Sequence, residues 1–273
     1  MNKISSWNDF QRHYLEISEL GLSLDTSLIN EPQELTASGK RLFLSAFQQM
    51  QDLEEGNISN PDENSMVGHY WLRNPALSPS PEIKKLITST LKKIQDFALE
   101  IHQKKLKPQN TDSFKNVLLI GIGGSALAPQ LIQSALSSEM DRMQFYFIDN
   151  TDPDGIDQVM SKLGGKIEST LTLVISKSGK TRETRNAMLE VSQFYEKFSI
   201  DFSRHAVAIT CDKSPLDRLA ERENWLDRFP IWEWVGGRTS FFSTVGILPA
   251  ALQGLDIEKI LDGAKSMDEI TRQ

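Results

Sequence analysis

The sequence predicts an α/β fold, a five-stranded parallel sheet flanked by helices and preceded by a helical N-terminal part. Three observations predict it. From residue 113 onward, short β-branched runs are each followed by a turn and a helical stripe, the signature of βαβ units. Before that point the apolar residues recur at helical spacing. The 273 residues, 39% of them hydrophobic, suffice for two domain-sized units with sizeable cores.

Residues 1–112 read as helices joined by polar loops. Leu42, Phe43, Ala46, Phe47 and Met50 form one stripe, and Leu86, Ile87, Leu91, Ile94, Phe97 and Ala98 a second. Between them, residues 57–63 are rich in turn formers. Gly68-His69-Tyr70-Trp71-Leu72-Arg73-Asn74-Pro75, followed by Pro79 and Pro81, predicts an ordered loop held by its aromatic rings. Strands are expected at 117–122, 145–149, 171–176, 206–211 and 231–235, with helices near 125–137, 155–163, 181–198, 215–222 and 243–253. Right-handed crossovers bring the loops after these strands to one end of the sheet, where ligands bind in such folds. Residues 113–254 are thus expected to form one α/β domain. In 255–273 the stripe Ile257, Ile260, Leu261, Ala264, Met267 and Ile270 starts a helix that no later element covers, which suggests a missing continuation.

The formal charge of −7, from 30 basic and 37 acidic residues, argues against a nucleic-acid binder, because neutralising phosphates needs a basic surface. No apolar run approaches the ~20 residues of a membrane-spanning helix. The N-terminus has no signal-peptide core, and Cys211 has no second cysteine to pair with, so a cytoplasmic location is expected.

Three loops carry chemistry. The first strand runs into Gly121-Ile122-Gly123-Gly124-Ser125-Ala126, where glycines let backbone N–H groups approach an anion at a helix N-terminus. It also fits the G-x-G-x-x-A dinucleotide fingerprint, with Asp149 as the ribose-binding acid, and a tight turn that binds nothing has the same sequence. The third strand runs into Ser176-Lys177-Ser178-Gly179-Lys180-Thr181-Arg182-Glu183-Thr184. Clustered hydroxyls before a helix make a cradle for a terminal phosphate, with Lys177 or Lys180 adding charge, whereas the bland alternative is that Ser178 or Thr181 simply caps the helix. Gly179-Lys180-Thr181 matches the end of a P-loop, but its first glycine would fall at Val174, which removes that reading.

The expected fifth strand, Ile231-Trp232-Glu233-Trp234-Val235, delivers Gly236-Gly237-Arg238-Thr239-Ser240 to the same end of the sheet. A guanidinium there suits a phosphate or a developing oxyanion, unless Arg238 pairs with a structural carboxylate such as Glu233. The acid-rich stretch from Asp149 to Asp154 fits a helix cap better than a cation site. His13, His69, His102 and His205 lack metal-ligand spacing, Cys211 reads as a small buried side chain, and no G-x-S-x-G elbow is present.

With these loops in their observed order, the chain resembles the glucose-6-phosphate isomerase (phosphoglucose isomerase) family along its whole length. The motifs that carry the resemblance are Gly121-Ile122-Gly123-Gly124-Ser125, the stretch Ser176 to Thr184, and Glu233-Trp234-Val235-Gly236-Gly237-Arg238-Thr239-Ser240, joined by the Gly68-to-Arg73 loop. Thr239 departs from the family, which more often has an aromatic there.

The resemblance implies a sugar isomerase (SIS) domain, a three-layer sandwich, over 113–254. It implies that Ser176, Ser178 and Thr181 hold a 6-phosphate, with Lys177, Gly179, Lys180 and Thr184 around it. Gly123, Gly124, Ser125 and Gly237 would line the sugar, and Arg238 would stabilise a cis-enediolate. The implied reaction interconverts glucose 6-phosphate and fructose 6-phosphate without a metal or organic cofactor, in a homodimer when full length. The family's chains are about twice as long, and their second SIS domain supplies the glutamate base and ring-opening histidine, so a truncated or split product is expected. A non-catalytic sugar-phosphate-binding module and, less well, a dinucleotide-dependent oxidoreductase are the competing readings.

Overall fold

The computed structural model describes residues 7–28 and 37–272. The chain divides into two units, one of Met1–Gln51 with Asp262–Gln273 and one of Asp52–Leu261. In the first, helix α1 (Trp7–His13) leads into an antiparallel hairpin of β1 (Tyr14–Ile17) and β2 (Leu22–Asp25), with Tyr14 opposite Asp25. This hairpin departs from the all-helical expectation, because two four-residue strands around Gly21 leave too short a period-2 pattern to stand out. The apolar stripe from Leu42 to Met50 does lie on a helix, α2 (Ala37–Glu54).

In the larger unit, β3 (Ile58–Asn60) and β4 (Ser65–Met66) form a second small hairpin. Helix α3 (Pro81–His102) starts where Ser80 caps the N–H of Ile83 and Pro81 occupies the first turn, so its amphipathic sequence begins in register with its buried face. That face presents Ile87, Ile94, Phe97 and Ile101 to the core. The α/β part follows as β5 (Asn116–Ile120), α4 (Gly124–Leu136), β6 (Gln144–Ile148), α5 (Pro153–Leu163), β7 (Thr170–Ile175), α6 (Arg182–Lys197), β8 (Ala206–Thr210), α7 (Pro215–Arg222), β9 (Asp227–Pro230), α8 (Thr244–Gln253) and α9 (Ile257–Thr271).

The five strands are all parallel in the order β6-β5-β7-β8-β9. Strands β5, β7 and β8 are buried along their whole length, as parallel strands covered on both faces must be. Their side chains alternate accordingly: Val117, Leu119, Leu173 and Ile209 enter the core under α3, α4 and α8, while Leu118, Ile120, Val174 and Ala208 enter the core under α5, α6 and α7. Every residue of α8 is buried, in keeping with a sequence that is apolar all round.

The fifth strand is where the sequence misleads. The ladder with β8 is made by Asp227–Pro230, and 231–235 instead leaves the sheet: Ile231 N–H still reaches Thr210 O at 2.8 Å, then Val235 N–H closes a turn on Trp232 O at 3.0 Å. The alternating tryptophans imitate a strand, but they serve a ring cluster. Trp232 and Trp234 stack with centroids 4.9 Å apart, and Trp234 lies 5.3 Å from the fully buried Trp71. The charged Asp227-Arg228 start and the terminal Pro230 suit an edge strand, which is why the segment does not look like one.

Candidate functional site

The strand order reverses between β5 and β7: β5 feeds α4 on one face of the sheet, and β7 feeds α6 on the other. Loops that part in this way open a crevice at the carboxyl ends of the strands. Ile120 stands opposite Val174 in the ladder, so the glycine turn and the hydroxyl turn begin side by side.

The glycine turn is built by backbone fit. Gly123 has φ +54° and ψ −119°, a conformation that excludes a side chain, and its carbonyl accepts the N–H groups of Ala126 and Leu127 at 2.9 Å to start α4. A Cβ on Gly124 would collide with the carbonyl of Gly237, so two segments 113 residues apart meet main chain to main chain. Ser240 Oγ, buried, closes the contact on Gly237 O at 2.8 Å and Gly124 O at 3.1 Å. Among the described residues the N–H groups of Gly123 and Gly124 have no hydrogen-bond partner, and they sit at the positive end of α4.

The hydroxyl turn is built from side chains. Ser176 Oγ accepts the N–H of Gly179 at 3.1 Å and lies 3.0 Å from Thr181 Oγ1, while Ser178 Oγ accepts the N–H of Lys180 at 3.2 Å. Gly179, at φ +64°, turns so tightly that a Cβ would meet Ser214 Oγ at 2.6 Å. Thr181 occupies the cap position of α6, yet its hydroxyl bonds Ser176 rather than a helix N–H, so the simple capping reading does not describe it. Ser178 and Lys180 are exposed at the mouth, and Ser125 is half-buried across from them.

The other predicted residues separate. Lys177 points away from the turn: its Nζ donates to Glu233 O at 2.8 Å and lies 3.7 Å from the Glu63 carboxylate. Thr184 is buried one helical turn below the hydroxyls, and its Oγ1 has no hydrogen-bond partner. Arg238 is exposed after Gly237 and forms no ion pair among the described residues, so the alternative pairing with Glu233 is not made. Asp149 accepts from Gln130 Nε2 at 2.8 Å and from Asn150 Nδ2 at 2.9 Å. Asp152 caps α5 through the N–H of Gly155, as expected of that acid-rich stretch.

Two supports escaped sequence reasoning. The 211–214 segment floors the hydroxyl turn: Cys211 N–H donates to Lys177 O at 3.1 Å, and Ser214 Oγ lies 2.7 Å from Thr210 Oγ1 and accepts from Asp217 N–H at 3.0 Å. Cys211 is half-buried, and desolvation pushes its thiol up despite the opposing pull of Lys177. The Ser214-Pro215 pair was a readable helix-start signal, although nothing in it pointed to a neighbour of Gly179. The aromatic loop pins the arginine segment, because Gly68 N–H donates to Trp234 O at 2.9 Å and a Cβ there would collide with Trp71. His69, in the same loop, is half-buried, and desolvation holds its pKa below the usual histidine value.

The model of the phosphoglucose isomerase family matches residues 36–273. The chain belongs to the phosphoglucose isomerase family. A glucose-6-phosphate isomerase of Desulfitobacterium hafniense (strain Y51) is 50% identical over 273 residues, covering 100% of this chain and 51% of the relative. One of Rippkaea orientalis is 50% identical over 272 residues, with the same coverage of 100% and 51%. The chain therefore spans about half the length of the curated relatives it matches. A solved glucose-6-phosphate isomerase from Chlamydia trachomatis superposes with a TM-score of 0.83 at 24% identity, over 98% of this chain and 52% of that one, and shares the fold. No described helix is long and apolar enough to cross a membrane.

Proposed function

We propose that these residues supply the phosphate-binding and arginine side of an aldose–ketose isomerase that interconverts glucose 6-phosphate and fructose 6-phosphate. The observation that carries this reading is the pairing of the Ser176, Ser178 and Thr181 hydroxyls at the start of α6 with the unpartnered N–H groups of Gly123 and Gly124 at the start of α4. Two helix N-termini converging on one crevice favour a dianion, and hydroxyl donors fix its orientation without a metal.

In this reading the 6-phosphate sits over 176–181, with Gly179 and Lys180 contributing backbone or charge at the mouth. The sugar lies along Gly124, Ser125 and Gly237, and Arg238, next to Gly237, reaches it from that side. Moving a proton between C1 and C2 passes through a cis-enediolate, whose negative charge develops where a free guanidinium can donate two parallel hydrogen bonds. Residues 113–254 act as the first SIS domain behind the segment 1–112. The general base, the ring-opening group, the remaining domain after 255–273 and the homodimer interface belong to the full-length family protein in the cytoplasm.

Binding of fructose 6-phosphate to the purified chain, followed by calorimetry, tests the cradle. Ser178→Ala and Thr181→Ala should each weaken it about tenfold, as expected for a hydrogen bond to a charged group. Unchanged affinity in both variants would defeat the assignment. In a full-length enzyme carrying this half, Arg238→Lys should lower kcat more than it raises KM, since the lost interaction strengthens only at the transition state.

A further inference from the structure

Lys177 stands between two cradle hydroxyls, Ser176 and Ser178, yet both ends of it are engaged elsewhere. Its carbonyl accepts the Cys211 N–H at 3.1 Å and the Thr210 Oγ1–H at 3.4 Å, which seats its main chain on the end of β8. Its side chain crosses to the 231–235 segment, where Nζ donates to Glu233 O at 2.8 Å and lies 3.7 Å from the Glu63 carboxylate. Among the described residues no other donor reaches Glu233 O. The receiving segment has left the sheet, so side-on contacts rather than a ladder hold it. Trp234 packs on Trp71 and Trp232, and its carbonyl accepts the Gly68 N–H at 2.9 Å. Those ties come from the aromatic loop and from the segment itself. The one side-chain hydrogen bond that joins the hydroxyl turn to this segment, among the described residues, is that of Lys177. Arg238 follows Glu233 by five residues, across the Gly236-Gly237 pair.

We infer, resting on the isomerase reading, that Lys177 is a positioning residue that straps the phosphate cradle to the arginine segment and so sets the spacing between Ser178 and Arg238. A hexose phosphate has a fixed reach from its phosphorus to C1 and C2. A cradle at one end and a guanidinium at the other therefore act together only at one separation, and a misplacement of about 1 Å can cost on the order of 10²-fold in rate. A lysine suits the task, because its long stem spans the gap and its ammonium makes a charge-assisted bond to the carbonyl. Lys177 thus acts through Arg238 and not as a ligand to the phosphate, in contrast to Lys180, which is exposed at the mouth.

Lys177→Met removes the donor and keeps the stem, and Lys177→Arg keeps a charged donor. In the purified chain without ligand, Lys177→Met should shift the amide NMR signals of 236–240, and Lys177→Arg should shift them less. Calorimetry should find the fructose 6-phosphate affinity of Lys177→Met within about threefold of the unsubstituted chain, since the cradle hydroxyls are untouched. In a full-length enzyme carrying this half, Lys177→Met should lower kcat about tenfold with little change in KM, and Lys177→Arg should recover part of the loss. In an Arg238→Ala background the same substitution should cost nothing further, whereas a merely structural role would cost the same in both backgrounds. Unmoved 236–240 amides overturn the inference, as do an unchanged kcat or additive losses with Arg238→Ala. A tenfold loss of affinity in Lys177→Met overturns it too, by making Lys177 a phosphate ligand. Thermal melting precedes the titrations, and Lys177→Gln takes the place of Lys177→Met if the latter does not fold. An unsubstituted chain that binds no fructose 6-phosphate overturns the isomerase reading and this inference together, whereas with that binding intact the outcomes above overturn this inference alone.

Discussion

The glycine turn and the hydroxyl turn flank one crevice but are made in opposite ways. At 121–125 the site is formed by removing side chains, until main chain meets main chain at Gly124 and Gly237 and two N–H groups are left without a partner among the described residues. At 176–181 it is formed by adding them, with Ser176 tying Gly179 and Thr181 into a fixed turn and Ser178 left at the mouth. The first design tolerates no added atom, whereas the second loses strength one hydrogen bond at a time. Substitutions on the two sides should therefore differ in size and in kind.

The largest effect is expected from Gly124→Ala. Its Cβ collides with backbone rather than with a movable side chain, so the 236–240 segment must shift. A loss of about 3 kcal/mol in urea unfolding is predicted, with sugar-phosphate binding lost as well. A loss well under 1 kcal/mol would show that the two backbones separate easily, and would break the contrast.

Ser176→Ala comes next. It leaves the Thr181 hydroxyl without its partner in a largely buried place and strips the Gly179 N–H of one of two acceptors, the Ser176 carbonyl at 3.1 Å remaining, at a predicted cost of about 1 kcal/mol. Ser178→Ala, on an exposed side chain, should change stability by less than about 0.5 kcal/mol while still weakening the ligand. If Ser178→Ala destabilised the fold as much as Ser176→Ala, the division of the turn into a structural inside and a binding mouth would be wrong.

A smaller effect concerns pH and the opposite end of the sheet. His205 is fully buried, with Nδ1 2.9 Å from Thr170 O and Nε2 accepting the Gln109 N–H at 3.2 Å, so the neutral ring is the one that fits. Desolvation depresses its folded-state pKa below the usual value, as it does for His69 and His102. A folded pKa below the unfolded one means that acid favours the unfolded state. The stabilisation is complete above the unfolded histidine pKa of about 6.5 and declines as pH falls from there toward the folded value. Urea midpoints should drop between neutral pH and pH 5, and His205→Gln should flatten that slope. Lys177→Ala should likewise cost under about 1 kcal/mol, because its partly exposed ammonium lies 3.7 Å from an exposed Glu63 and donates one hydrogen bond, to Glu233 O at 2.8 Å.

The legibility of the molecule follows the same division. Fully buried strands such as Val117-Leu118-Leu119-Ile120 and the stretch 170–175 announce themselves, because both faces of a parallel sheet must be apolar. The motif glycines and hydroxyls are legible for the same local reason, since helix starts after strands need them. What stayed hidden depends on distant partners. The strand at Asp227–Pro230 looks charged because it lies at the edge, and 231–235 looks like a strand because its tryptophans alternate to reach Trp71 and each other. The contact of Gly237 with Gly124, the turn of Lys177 toward Glu233, and Ser214 beneath Gly179 are all choices among partners far away in sequence. No local pattern encodes them.

The account rests on the claim that one sugar phosphate spans both turns, and amide NMR of the purified chain titrated with fructose 6-phosphate tests it most directly. The predicted result is saturable shifts concentrated at Gly123, Gly124 and the 178–181 amides, weakened together by Ser178→Ala. Shifts confined to one turn, or no saturable shifts at either, would contradict it.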